Sequence, residues 1–278
     1  MWQLLEPIHA VVYFAPEARA AYTEAGLKGG WMGYFASRAA AMGAVPPEMV
    51  IATFYNFHPK MVRRAIPDAW TFSTPEKVLR ARLEVADLVL RRLLGPDVGN
   101  DHVAAAARLA RIAAEAAQPA GRPLFAAHAA LPWPEQPHLE LWHAATLLRE
   151  FRGDGHVAVL VANEIDGCEA HVLITTDYVM PAEMQRANRG WSEEEWAAAE
   201  DRLIARGLLG AGGLTDAGRR LRLAIEDATD RLALPPFTAL GETACTELES
   251  HLLEVGRGLG QAVPFPNPMG LTPVAETK

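Results

Sequence analysis

WSEEEWAAAEDRLIARGLLGAGGLTDAGRRL, residues 191–221, is the stretch from which the fold is read. Ser192 with Glu195 three residues later has the form of a capping box, each side chain bonding the other residue's backbone N–H. Trp196, Ala199, Leu203 and Ile204 then recur at helical spacing. Arg206-Gly207 ends that helix, Gly212-Gly213 makes a tight turn between two very short extended pieces, and Thr215-Asp216 starts another helix. Helix, hairpin, helix is how a winged helix-turn-helix module closes. The reading helix has the wrong charge for DNA, because Glu193, Glu194, Glu195, Glu200 and Asp201 outnumber Arg202 and Arg206. A helix lying in the groove of a polyanion is expected to be neutral or basic.

The whole chain agrees with that charge. Its 278 residues carry a net charge of −8 with half of them hydrophobic. There is enough apolar material for a large core or two ordinary ones. The acidic balance argues against a general binder of nucleic acid or anionic membranes. Cys168 and Cys245 are isolated, which suits a reducing compartment and gives no metal spacing. No run of apolar residues is long enough to span a membrane, and residues 1–14 lack the basic start of a secretion signal. The expectation is a cytoplasmic protein without a membrane partner.

Outward from 191–221, helical signals dominate. Residues 17–25, 31–42, 48–56 and 60–66 read as short helices broken by Gly or Pro. Ser73-Thr74-Pro75-Glu76 opens a helix reaching Leu94, and Asp101 is the expected cap of an alanine-rich helix ending near Gln118. Helices resume at 139–151 and 155–165, with a break at Gly153-Asp154-Gly155; 169–175 reads as a strand, and 221–232 and 237–258 as helices. Two marks recur. Arg38 leads to LRRLLG ending at Gly95, and Arg152 leads at nearly the same distance to ARGLLG ending at Gly210. The fold expected is mainly α: two winged-helix-like helical modules related by a pseudo-duplication, with short β-hairpin wings. The modules are 1–119 and 138–258, joined by a proline-rich linker at 120–137 and followed by an extended tail at 259–278.

Three landmarks, EPIHAVVYFAPEAR (6–19), ATFYNFHPKMV (52–62) and LWHAATLLREFRGDGHVA (141–158), resemble a family of winged-helix-like, helix-turn-helix proteins of actinobacteria. The resemblance runs from the N-terminus to about residue 232 and implies a fold rather than a particular activity. Residues 191–221 are also similar to the wing region of MarR-type regulators. That likeness implies a DNA-reading helix, from which this sequence departs through its acids and a wing tip without Arg or Lys.

Three clusters could carry chemistry. His143 and Glu150 share a helical face, Trp142 and Arg149 the adjacent one, and Arg152, Asp154 and His156 follow. His143, Glu150 and His156 could converge as metal ligands or an acid–base pair, while Asp154 could instead cap the helix after it. Glu6, His9 and Tyr13 lie in one line within an apolar helix, so they hold either a ligand or a neighbouring helix. Asn56 and His58 sit at a helix junction before Pro59. No Gly-rich phosphate loop, nucleophile elbow, paired-His zinc motif or Cys pair is present, so nucleotide cofactors are not expected. A metal ion or a haem held by scattered histidines needs no linear motif and stays open.

The leading functional reading is a small-molecule or cofactor binder, with scope for an enzyme, whose pocket lies between the two halves. A MarR-like DNA-binding regulator is the alternative, supported by Lys77, Arg80, Arg82, Arg91 and Arg92 on one helix. A scaffold that dimerises through 237–258 is the third.

Overall fold

The computed structural model describes residues 1–177, 181–259, 262–264 and 267–270, so most of the expected tail lies outside the described residues. In chain order the helices are α1 (Trp2–Phe14), α2 (Pro16–Glu24), α3 (Gly30–Ala39), α4 (Pro47–Thr53), α5 (Pro59–Arg63), α6 (Ala69–Phe72), α7 (Pro75–Leu94) and α8 (Asp101–Ala116). They continue with α9 (Pro123–Ala129), α10 (Pro137–Ala162), α11 (Gly167–Asp177), α12 (Ala182–Arg189) and α13 (Glu193–Ala205). The strands β1 (Leu209–Gly210) and β2 (Gly213–Leu214) follow, then α14 (Asp216–Ala233), α15 (Pro235–Leu240) and α16 (Glu242–Leu259). The protein is mainly α with a single short hairpin among the described residues. None of its described helices is long and apolar enough to cross a membrane.

Local chemistry explains most of the boundaries. Helices α2, α4, α5, α7, α9, α10 and α15 begin on proline, whose missing N–H is not needed in a first turn. The capping box of α13 forms in both directions, Glu195 N to Ser192 Oγ at 3.1 Å and Ser192 N to Glu195 Oε2 at 2.9 Å. Leu209 pairs with Leu214 and Gly210 with Gly213, and Thr215 caps α14 by accepting from Gly218 N at 3.1 Å. The cap of α8 is Asn100 rather than Asp101, which lies inside the first turn.

Three expectations fail for physical reasons. Residues 139–165 do not form two helices: α10 is one rod of 26 residues, roughly 39 Å long at 1.5 Å per residue. Its glycines mark close approaches, not a break. A Cβ on Gly155 would run into the Arg122 guanidinium, which donates to the Phe151 carbonyl, and Gly153 borders a cleft. The strand expected at 169–175 is helix α11. Asp166 Oδ1 accepts from Cys168 N and Glu169 N, and Glu169 Oε2 accepts from Asp166 N, so a reciprocal cap overrides the β-branched run. The stretch 120–137 contains α9, with Leu124 and Phe125 buried. The repeated marks also end differently. Gly95-Pro96 leads into a 3-10 turn and Gly210 into the hairpin.

The apolar interior forms two clusters. The larger joins Ile8, Phe35, Val85, Ala110 and Leu141 with Leu248 and Leu252, so α16 turns its apolar face into the same core as α1. The smaller joins Leu160, Ile165, Leu173, Trp196, Leu203 and Ile225 around α11, α13 and α14. Helix α10 runs through both. Residues 55–58 stitch the seam beside it: Tyr55 Oη donates to the Ile165 carbonyl (2.7 Å), Trp191 Nε1 to the Asn56 carbonyl (3.1 Å) and His58 N to the Arg189 carbonyl (2.8 Å). Gly167 sits directly against the Tyr55 carbonyl and Asn56 Cα.

A side chain at 167 must push backbone, not a flexible side chain, so Gly167→Ala should cost about 1–3 kcal/mol in thermal or urea unfolding. Gly30→Ala, where a Cβ meets nothing, is the control and should leave stability unchanged or slightly raised.

Candidate functional site

The seam opens into a cleft of about 270 Å³. Glu6 on α1, Asn56, Arg149, Arg152 and His156 on α10, His171 on α11, Gln185 and Arg189 on α12, and Arg222 and Glu226 on α14 line it. An inner chamber of about 130 Å³ shares Asn56, Arg149, His156 and Arg189 and adds Tyr13, Tyr34, Arg38, Phe54, Phe57, Glu150 and Asp154.

A ladder of charge forms the wall between cleft and core. The buried Glu150 carboxylate accepts from Arg38 Nη2 at 3.1 and 3.2 Å and from Arg149 Nη1 at 2.6 Å. Arg149 Nε reaches on to Glu6 Oε1 at 3.3 Å. Burial alone would raise the Glu150 carboxyl, but Arg149 and Arg38 override it and hold it well below the usual carboxylate range. Arg38 also donates to Tyr34 Oη (3.0 Å) and lies 4.2 Å from the centre of the Phe54 ring. On the cleft's far side Arg152 pairs with Glu226 and Asp230, and Arg222 with Glu226. Arg189 differs from these. It donates to the Pro268 carbonyl at 2.9 Å, packs 4.6 Å from the Phe57 ring centre, and has no carboxylate partner among the described residues. Burial lowers its pKa to about 10, which leaves it charged at neutral pH.

The polar line on α1 is fastened by a directed chain of hydrogen bonds. Thr146 gives its hydroxyl proton to the Trp142 carbonyl (2.9 Å), so its oxygen must accept from His9 Nδ1 (2.9 Å). His9 Nε2 is therefore bare and accepts from Tyr13 Oη at 2.9 Å. Burial, reinforced by Arg149, keeps His9 neutral by holding it well below the ordinary imidazole range. Behind Tyr13 the buried Arg82 donates to its hydroxyl at 3.4 Å and lies 5.2 Å from the Trp142 ring. His156 repeats the logic. Thr229 gives its proton to the Ile225 carbonyl, so His156 Nδ1 donates to Thr229 Oγ1 at 2.9 Å and Nε2 is left as an acceptor. Burial lowers His156 to about 4.

Of the residues singled out in the sequence, Glu6, Asn56, Arg149, Arg152 and His156 line the cleft, and Tyr13, Glu150 and Asp154 the inner chamber. His9 and Trp142 stand behind Tyr13. Asp154 is not the cap of its own helix; its carboxylate accepts from Leu124 N (3.0 Å) and Phe125 N (2.9 Å), capping α9, and burial raises it to about 6. His58 is a seam residue, accepting from Lys60 N (3.0 Å) and bonding Glu195 (2.8 Å). His143 packs its ring against Trp133, away from Glu150 and His156, so those three do not converge as metal ligands. No group of three His, Cys, Asp or Glu placed to hold a metal ion occurs among the described residues. Sequence reasoning missed Arg38, Arg189, Gln185 and His171. It also counted Arg82 among the basic residues of α7 that would favour DNA, although Val78, Val85 and Val89 place it on the apolar face of that helix.

Burial lowers His128 to about 3 and His143 to about 4. Histidines kept neutral by the fold take up protons in the unfolded chain first, so they withdraw stability as pH falls below about 6.5. Asp154, raised in the fold, acts oppositely, adding stability as pH drops through about 6. With His9, His128, His143, His156 and His171 all lowered by burial against the one raised carboxyl of Asp154, the melting temperature falls from about pH 7 to about pH 5. His143→Phe should flatten that fall and Asp154→Asn should steepen it, as measured by scanning calorimetry.

Neither a curated protein nor a solved structure matches the chain. A family model does, over residues 1–266, and with the capped α13, the β1–β2 hairpin and α14 in place it agrees with the architecture. The chain belongs to this helix-turn-helix family.

Proposed function

We propose that the protein binds a small anionic molecule in the cleft between α1, α10, α12 and α14. The observation that carries this reading is a convergence of unpartnered polar atoms. Among the described residues, Glu6 Oε2, Gln185 Oε1 and Arg222 Nε are buried without a hydrogen-bond partner, and all three residues line this one cleft. Arg38 Nε adds a fourth in the inner chamber. Buried polar groups are rarely left alone, and several around one concavity point to a ligand that completes them. The sign of that ligand follows from charge. Arg38 and Arg149 are matched by Glu150 and Glu6, and Arg152 and Arg222 by Glu226 and Asp230. Arg189 is left over, so a cleft in a chain of net charge −8 carries a surplus cation. The planar guanidinium suits a carboxylate or phosphate oxygen pair in place of the single Pro268 carbonyl. Binding rather than a reaction is proposed, since the His9 relay ends on a main-chain carbonyl and holds Tyr13 in place.

A DNA-binding regulator of MarR-like type is the second reading, favoured by the family and by the helix–hairpin–helix order. Charge opposes it. Arg202 is tied to Asp166 and Glu169, and Arg206 donates to the Glu164 and Asn163 carbonyls. That leaves Glu193, Glu194 and Asp201 exposed on α13, with Ala211-Gly212 at the hairpin tip.

Titration calorimetry with a panel of small carboxylates and inorganic phosphate should find an anion that binds the wild type and at least about tenfold less tightly to Arg189→Gln. Equal binding by both proteins would remove the site. Gel shifts with the gene's own upstream DNA at low salt should show no complex; a complex whose affinity falls steeply with salt would instead establish the second reading.

A further inference from the structure

We infer that the ligand is a hydroxylated monocarboxylic acid with an aromatic or similarly flat apolar body, a reading that rests on the anion site proposed above. Three observations carry the inference. The first is charge. Across cleft and chamber, Arg38, Arg149, Arg152, Arg189 and Arg222 face Glu6, Glu150, Asp154 and Glu226, an excess of one positive charge, and Arg189 is the arginine of this lining without a carboxylate partner among the described residues. A monoanion neutralises it, a dianion overshoots, and a zwitterion leaves it uncompensated.

The second is the donor balance. Glu6 is 2% exposed, and while its Oε1 takes the Arg149 proton, its Oε2 has no partner. Gln185 Oε1 is a second buried oxygen without one. Both are acceptors only, and an ionised carboxylate has no proton to offer them. A ligand that completes both acceptors directly brings a hydrogen-bond donor as well as its charge. A neutral hydroxyl supplies that donor without adding a further positive charge to a cleft in which Arg189 is already unmatched.

The third is the inner wall. Tyr13, Tyr34, Phe54 and Phe57 face the chamber, with Tyr13–Tyr34 and Tyr34–Phe57 ring centres 5.2 and 5.5 Å apart. Rings at such spacings form a face on which a flat apolar body packs edge-to-face or offset.

Calorimetry on the full chain with three matched molecules, phenyllactate, hydrocinnamate and phenylalanine, tests the class. They share carboxylate and ring and differ in carrying a hydroxyl, nothing, or an ammonium. Phenyllactate or its β-hydroxy isomer should bind at least about tenfold tighter than the other two, because a site built for a hydroxyl is left with an unpaired acceptor by its analogue. Glu6→Gln, which turns the free acceptor into a donor while keeping an oxygen for Arg149, should erase most of that preference. Equal binding of hydrocinnamate, tightest binding of phenylalanine, or an unchanged preference in Glu6→Gln would overturn the inference. Should Glu6→Gln fail to fold, the three-ligand comparison on the wild type decides by itself. If none of the three binds but phosphate does so through Arg189, only the ligand class falls; if no anion binds at all, the anion site falls with it.

Discussion

Glu150 is buried between Arg38 and Arg149, and the arrangement of α1, α3 and α10 around the cleft depends on that contact. A carboxylate out of water is tolerated only when paired, and leaving a buried charge without its partner costs about 3–5 kcal/mol. The pairing therefore fixes where Arg149 can lie. That in turn positions Glu6 with one oxygen bonded and the other free, and sets Arg38 beneath the rings of Tyr34 and Phe54. Replacing such a buried pair by well-packed apolar groups is often neutral for stability, whereas removing one partner alone is costly.

Helix α10 supplies the frame. Its first half belongs to the larger core and its end to the smaller, so the cleft borders one rigid rod rather than a hinge between independent bodies. The short segment 55–58 then ties α11, α12 and α13 to that frame through Tyr55, Asn56 and His58. Acids that would have obstructed DNA on α13 have local work within the protein: Glu195 completes its own cap and holds His58, and Glu193 pairs with Arg186. The last helix of that order, α14, also lines the cleft through Arg222 and Glu226.

Much of the fold could be read from short-range signals. The Ser192–Glu195 box, the Gly212–Gly213 turn, the Thr215 cap and the prolines at helix starts involve residues within four positions of each other, and all formed as read. Glu6, His9 and Tyr13 were identifiable as a polar line because one helix presents them together. Misreadings arose where a local signal had a distant cause. Gly153 and Gly155 looked like a helix stop, but α10 runs through both, and at 155 a side chain would meet Arg122. Asp154 looked like a cap for the next residues and caps α9, thirty positions back, instead. The reciprocal Asp166–Glu169 cap was present in the sequence and was outweighed by the β-branched run after it.

By itself, then, the sequence determined the helical class, most helix starts, the hairpin and the acidity of α13, because capping, turn geometry and periodicity act over a few residues. Only the tertiary structure decided which charges meet. Arg38 meets Glu150 and Arg149 meets Glu6 from more than a hundred residues away along the chain, and nothing in spacing or composition sets Arg189 apart from Arg149 or Arg152. Packing leaves the Arg189 guanidinium without a carboxylate and one Glu6 oxygen without a donor among the described residues. That residue of unmet bonding, a property of how the helices pack and not of any local motif, gives the cleft its proposed chemistry.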